Sequence, residues 1–207
     1  MSKPARFLHP LWALFAIIVL AIPIGALLWP PPPPPERFGQ IPELSLVDQD
    51  GQPFTRGTMA DTVWVTDFIF TRCPDVCPTL SARLATLQPR IAEHSGAQPI
   101  RLLSVTVDPA FDTPEVLTAY GARFSAEPAL WRLVTGDEPV VYAAIEGFKQ
   151  LVDVQREAGV DVPDILHSRK FVLVDGQGEI RGFFDSTPEG LDTLWDAATW
   201  LSDHPSD

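Results

Sequence analysis

The sequence predicts an α/β fold: a mixed sheet flanked by helices, preceded by one N-terminal membrane-spanning helix. Three observations predict it. Apolar, β-branched runs alternate with segments of helical period after residue 60, two such runs flank the turn DGQG at 175–178, and nineteen uncharged residues stand at 11–29.

The elements follow in chain order. The run LWALFAIIVLAIPIGALLW (11–29) makes a helix of ~28 Å at ~1.5 Å per residue, about the hydrocarbon thickness of a bilayer. Lys3 and Arg6 precede it and no basic cluster follows, so residues 1–10 are expected in the cytoplasm and the rest of the chain on the periplasmic or extracytoplasmic side of the inner membrane, single-pass. A cleaved secretory signal is the alternative, although its apolar core is shorter and ends at small residues, whereas this run ends IGALLWPP. Six prolines at 30–35 open a linker, 30–40, as a polyproline II spacer of about 19 Å at ~3.1 Å per residue. The globular domain is expected at 41–203, as 207 residues with 45% apolar composition suit one domain rather than two.

Within it, VWVTDFIF (63–70) is apolar on both faces except for Thr66 and Asp67, as a strand covered on both sides should be. Pro78 suits the first position of a helix, and Leu80, Leu84, Leu87 and Ile91 recur at helical spacing up to His94 and Gly96. RLLSVTV (101–107) reads as the next buried strand. DPAFDTP (108–114) is a turn whose Asp112 or Thr113 can cap a helix running to about Phe124. A short strand at 130–134, a helix at 139–150, a hairpin of 170–174 with 179–184 and a last helix at 188–201 complete the pattern. Residues 150–166 lack a clear period and read as a long loop, with room for an edge hairpin. Parallel strands joined by helices plus one antiparallel hairpin resemble the thioredoxin-like plan, in which a strand runs into a cysteine loop that opens a helix.

Charge excludes one class of partner. Removing Lys3, Arg6 and Arg37 from 15 basic residues leaves 12 from Phe38 onward, and removing Glu36 from 27 acidic residues leaves 26, a net of −14. Such a domain repels phosphate backbones, so nucleic acid is not expected to bind.

The two cysteines, Cys73 and Cys77, are too few for a disulfide scaffold in an exported domain and are better suspected of chemistry. A thiol at a helix N-terminus faces the positive end of the dipole, and Arg72 adds a charge of the same sign, both favouring thiolate. Asp67, six residues before Cys73, either is buried with a raised pKa and exchanges protons with the thiols, or reaches water at a strand edge. Three residues between the cysteines let both sulfurs turn toward one point as ligands while still permitting a disulfide. Two soft thiolates select Cu(I), with zinc as the competing metal. Met1 and Met59 exclude a methionine-rich site. Of four histidines, His9, His94 and His204 stand before the span, at a helix end and in the tail. His167, in PDILHSRKFVLV at the end of the irregular segment, is either a third ligand or a surface residue ahead of a strand.

FIFTRCPDVCP, then DPAFDTP, then LHS leading into FVLVDGQGEIRGFF, together resemble the Sco/SenC family of membrane-anchored, thioredoxin-like copper proteins, over residues 41–200 and the anchor. The resemblance implies copper, Cu(I) or Cu(II), on Cys73, Cys77 and His167. It implies delivery to the copper-site subunit of cytochrome c oxidase for its binuclear CuA centre, or reduction of that centre's cysteines, with Asp67 similar to the buried acid of thioredoxins. Two positions depart from the family pattern. Leu166 stands where an acidic residue often precedes the histidine, with Asp164 two positions further back, and Ala110 and Phe111 replace a charged pair in the turn, bearing on any partner contact made there. Three functions remain open: a metallochaperone, a thiol-disulfide oxidoreductase, and a copper or redox sensor.

Overall fold

Strand β3 (Val63–Ile69) is buried at every residue, as its largely apolar run requires, and it lies inside the sheet between β4 and β8. The computed structural model describes residues 15, 17, 19, 33–150, 153–155, 164–166 and 170–205. The chain divides into two units, Met1–Pro33 and Pro34–Asp207. In the first, Phe15, Ile17 and Val19 are helical and exposed; the rest of the expected span 11–29 lies outside the described residues. No helix among the described residues is long and apolar enough to cross a membrane.

The second unit is built on a seven-stranded sheet in the order β2-β1-β5-β4-β3-β8-β9. Strands β3, β4 (Ile100–Thr106) and β5 (Trp131–Thr135) are parallel, and β8 (Lys170–Val174) and β9 (Ile180–Asp185) add an antiparallel hairpin to one side. The other side is closed by β1 (Ser45–Asp48) and β2 (Pro53–Thr55), also antiparallel, with the single turn α1 (Arg56–Met59) after them. Helices α2 (Val76–Glu93), α3 (Pro114–Ala122), α4 (Glu138–Gly147) and α5 (Pro188–Asp203) flank the sheet. Leu80, Leu84, Leu87 and Ile91 bury one stripe of α2, and Leu191, Leu194, Ala198 and Leu201 one stripe of α5. The irregular segment contains an antiparallel pair, β6 (Asp153–Gln155) with β7 (Asp164–Leu166), which forms a two-stranded sheet of its own and not an edge of the main sheet.

Two local expectations change. Helix α2 starts at Val76, not at Pro78, because the first four N–H groups of a helix have no intrahelical acceptor and a proline at the third position forfeits nothing. Cys77 thereby enters the first turn and packs into the core. In the DPAFDTP turn, Thr113 caps α3 by accepting from Val116 N, while Asp112 turns inward and is fully buried.

The sheet directions gather the chemistry at one edge. β3 and β4 end there, each feeding a loop, where parallel α/β sheets characteristically bind ligands. β8 runs opposite to β3, pairing Val172 with Thr66, so its first residue, Lys170, lies at that same edge.

Candidate metal centre

The loop from Phe70 to Asp75 leaves the end of β3 and closes on itself when Cys73 N donates to Phe70 O at 3.1 Å. Four residues after Cys73 the chain has made one turn, and Cys77 N donates to Cys73 Sγ at 3.5 Å. The cysteines therefore share one turn, as spacing and helix start together require. Their surroundings differ: Cys73 is half-buried and Cys77 is 0% exposed. Both are thiols, not joined in a disulfide.

Burial pushes the Cys77 thiol well up. A hydrogen bond with the Phe70 backbone offsets this only in part, and Cys73 and Asp67 add to the rise. The expectation of a readily ionised pair at a helix N-terminus is thus corrected for Cys77, where desolvation outweighs the dipole. Arg72 does not stand over the thiols unopposed either. Its Nη2 and Nε donate to Asp108 Oδ2 at 2.6 and 3.2 Å, and its guanidinium lies 4.2 Å from the centroid of the Phe111 ring. Cys77 is therefore a group that gives up its proton when another bond takes the sulfur, as metal coordination or disulfide formation does.

Asp67 is fully buried, which removes the strand-edge alternative. Ser104 Oγ donates to its Oδ1 at 2.5 Å, and Trp131 Nε1 in turn donates to Ser104 Oγ at 2.9 Å. Its Oδ2 has no hydrogen-bond partner among the described residues. Burial raises its pKa to about 7, with the Ser104 hydrogen bond working against the rise. A carboxyl in this state gains and loses a proton near neutral pH, and its charge acts on Cys77.

His167 lies outside the described residues, as do its neighbours 168 and 169; Leu166 and Asp164 belong to β7. Two described histidines are engaged elsewhere. His94 caps the end of α2 and shares a hydrogen bond with Ser202 Oγ at 3.0 Å, and His204 stacks on Trp200 at 4.4 Å. Among the described residues no group of three His, Cys, Asp or Glu is placed to hold a metal ion. The two sulfurs fit a soft monovalent cation by their chemistry and lack only further donors.

Sequence reasoning missed the partners of the cysteine loop. Asp108 and Asp112 stand 36 and 41 positions beyond the residues they bind, Arg72 and Thr71. The available signal was an acid-rich turn directly after a buried strand paired with β3.

Comparison with known proteins agrees with this geometry. A family model described as SCO1/SenC matches residues 34–201. A protein of Stutzerimonas stutzeri named "Putative copper-binding protein" is 39% identical over 163 residues, covering 74% of this chain and 72% of that one. The crystal structure of a SCO1/SenC family lipoprotein from Bacillus anthracis str. Ames superposes with a TM-score of 0.66 at 30% identity, covering 77% of this chain and 93% of that chain. Yeast Sco1 with copper bound gives 0.60 at 26% identity, covering 76% and 87%.

Proposed function

The chain belongs to the SCO1/SenC family, and on that premise we propose that it binds copper through Cys73, Cys77 and His167 and assists assembly of the CuA centre of cytochrome c oxidase. The observation that carries this reading is the cysteine turn itself: two sulfurs four residues apart, one half-buried and one buried, at the sheet edge where ligands bind. Connectivity supports the third ligand. Three residues span at most ~11 Å, so His167 is tied close to Lys170, which begins β8 at the cysteine edge.

The residues divide the work. Cys73, the accessible sulfur, makes first contact with incoming copper or with a partner's thiol. Cys77, desolvated, holds the ion away from water as thiolate. Copper supplies no catalysis; it is cargo, and a partner site with more or better-placed thiolates and imidazoles would take it over. We further propose that residues 11–29 anchor the chain in the inner membrane with the domain outside the cytoplasm, on the strength of the uncharged run and of Lys3 and Arg6.

Asp67 favours a second activity of the same turn, reduction of the oxidase's own cysteines. In that reaction Cys73 thiolate attacks a partner disulfide and releases one partner thiolate, forming a mixed disulfide. Cys77, giving its proton to Asp67, then attacks Cys73 Sγ, so the partner leaves as a dithiol and this chain is left with the Cys73–Cys77 disulfide. The unpartnered Oδ2 and the pKa of about 7 suit Asp67 to receive that proton.

Copper stoichiometry tests the first reading. The reduced unit 34–207 should bind one copper per chain, and Cys73→Ser or Cys77→Ser should abolish retention against a chelator; retention by either variant sinks the assignment. Thiol labelling tests the division of roles: an alkylating reagent should modify Cys73 at least tenfold faster than Cys77 in the reduced protein, given their exposures. Equal rates would contradict it.

A further inference from the structure

The two sulfurs are held by different parts of the fold. Cys77 belongs to the first turn of α2, whereas Cys73 sits in the loop before it, which the turn after β4 grips. The centre of that grip is Asp112. Its Oδ1 accepts from Thr71 Oγ1 at 2.5 Å, and its Oδ2 accepts from Thr71 N at 3.2 Å and from Thr106 Oγ1 at 2.6 Å. One buried carboxylate thus ties the residue two before Cys73 to the end of β4. Around it, Val107 N donates to Ile69 O at 2.7 Å, continuing the β3–β4 ladder to the edge of the loop, and Thr106 Oγ1 also accepts from Asp108 N at 3.0 Å. Asp108 in turn holds Arg72, the residue next to Cys73.

We propose that Asp112 is a positioning residue for the thiol pair, fixing Cys73 against Cys77 through its bonds to Thr71. The inference deepens the function proposed above and rests on it only for the copper arm. Its physical basis is effective concentration: two sulfurs close on each other, or on one ion, in proportion to the time they spend at the right spacing. Three hydrogen bonds accepted by one buried carboxyl, against whose ionisation burial works, hold that spacing without contacting either sulfur. Freed of them, the loop gains conformations in the dithiol form that the disulfide must give up, so the disulfide becomes easier to reduce.

The inward side of the same turn is bound to the cysteine loop. Phe111, with 42% of its surface exposed, remains on the outside under Arg72.

The test separates positioning from plain stability. Thr71→Val and Thr106→Val each remove one hydroxyl that donates to Asp112, but only Thr71 belongs to the cysteine loop; Thr106 reaches it at one remove, through Asp108 and its pair with Arg72. The dithiol–disulfide equilibrium of the full chain is measured against a dithiothreitol redox buffer, alongside urea unfolding of the reduced form. Asp112→Asn should lower the equilibrium constant for disulfide formation about tenfold, a shift of about 30 mV to less negative potential. Thr71→Val should lower it at least threefold, Thr71→Ser should restore it, and Thr106→Val should change it less than twofold for a comparable loss of stability. Equal shifts in the two valine variants, or none in Thr71→Val, overturn the proposal. Copper titration of the same proteins keeps the readings apart. A wild type that binds no copper but shows the contrast between the valines loses the copper function and keeps the positioning role; one that binds copper without the contrast does the reverse.

Discussion

Replacing His167 with alanine is expected to weaken Cu(II) retention about a hundredfold and Cu(I) retention about tenfold, while leaving reduction of a model disulfide within a factor of about two. The asymmetry follows from donor chemistry. Cys73 and Cys77 as thiolates are soft and can hold Cu(I) alone in a linear arrangement, whereas Cu(II) needs the harder nitrogen that an imidazole adds. Dithiol exchange uses only the sulfurs, their exposure and a proton acceptor, none of which the imidazole need supply. His167 is therefore the residue on which the two proposed activities of the turn would separate. Chelator competition for each oxidation state, run beside a disulfide-reduction assay on wild type and His167→Ala, reads both. Unchanged copper affinity would remove His167 from the ligand set and with it the metallochaperone reading. Survival of oxidase assembly in a variant that has lost copper would put thiol reduction first. Leu166 makes the experiment more informative here, since no carboxylate directly before His167 is present to share the load.

What could be read without the fold depended on how local the cause was. Strands β3, β4 and β8 were legible because strands covered on both faces are continuous apolar runs, and the β8–β9 hairpin because Asp175 and Gly178 suit its turn: Asp175 Oδ1 accepts from Gln177 N and Glu179 N, and Gly178 adopts φ +80. Strands β1 and β2 and helix α1 escaped notice. They are three or four residues long and half polar, so no window of periodicity covers them. At the site, the cysteine spacing is local and legible; the burial of Asp67 is not, because it depends on which strands come to flank β3. The partners of Thr71 and Arg72 come from a segment 36 to 41 residues away, brought near by the parallel β3–β4 pairing, and no local pattern encodes that meeting.

Asp67→Asn is expected to stabilise the reduced, copper-free protein above pH 7 and to destabilise it below pH 5. The sign follows from proton linkage. In the unfolded chain this carboxyl titrates in the usual carboxylate range, but in the fold burial raises its pKa to about 7. Between those values the folded protein holds a proton that the unfolded chain has lost, so the contribution of Asp67 is fully present below pH 4 and is lost as pH rises through 7. Three pKa units correspond to roughly 4 kcal/mol as an upper bound. Asparagine never ionises and escapes that loss, but its amide nitrogen occupies the place of Oδ2, where no partner stands, at a cost of about 1–3 kcal/mol. The variant should therefore be more stable than wild type at pH 8, by at most about 1–3 kcal/mol, and less stable at pH 4. Its chemistry should suffer in exchange: with no acceptor for the Cys77 proton, the step in which Cys77 attacks the mixed disulfide should slow about a hundredfold at neutral pH. Urea unfolding of both proteins from pH 4 to 9, with single-turnover reduction of a mixed disulfide, measures the two effects. Parallel stability profiles would show that Asp67 does not titrate with the fold, and an unchanged resolving rate would show that some other group takes the proton. Both effects together would explain why a destabilising carboxyl stands in the buried centre of β3, since the same desolvation that weakens the fold at neutral pH is what suits Asp67 to receive a proton there.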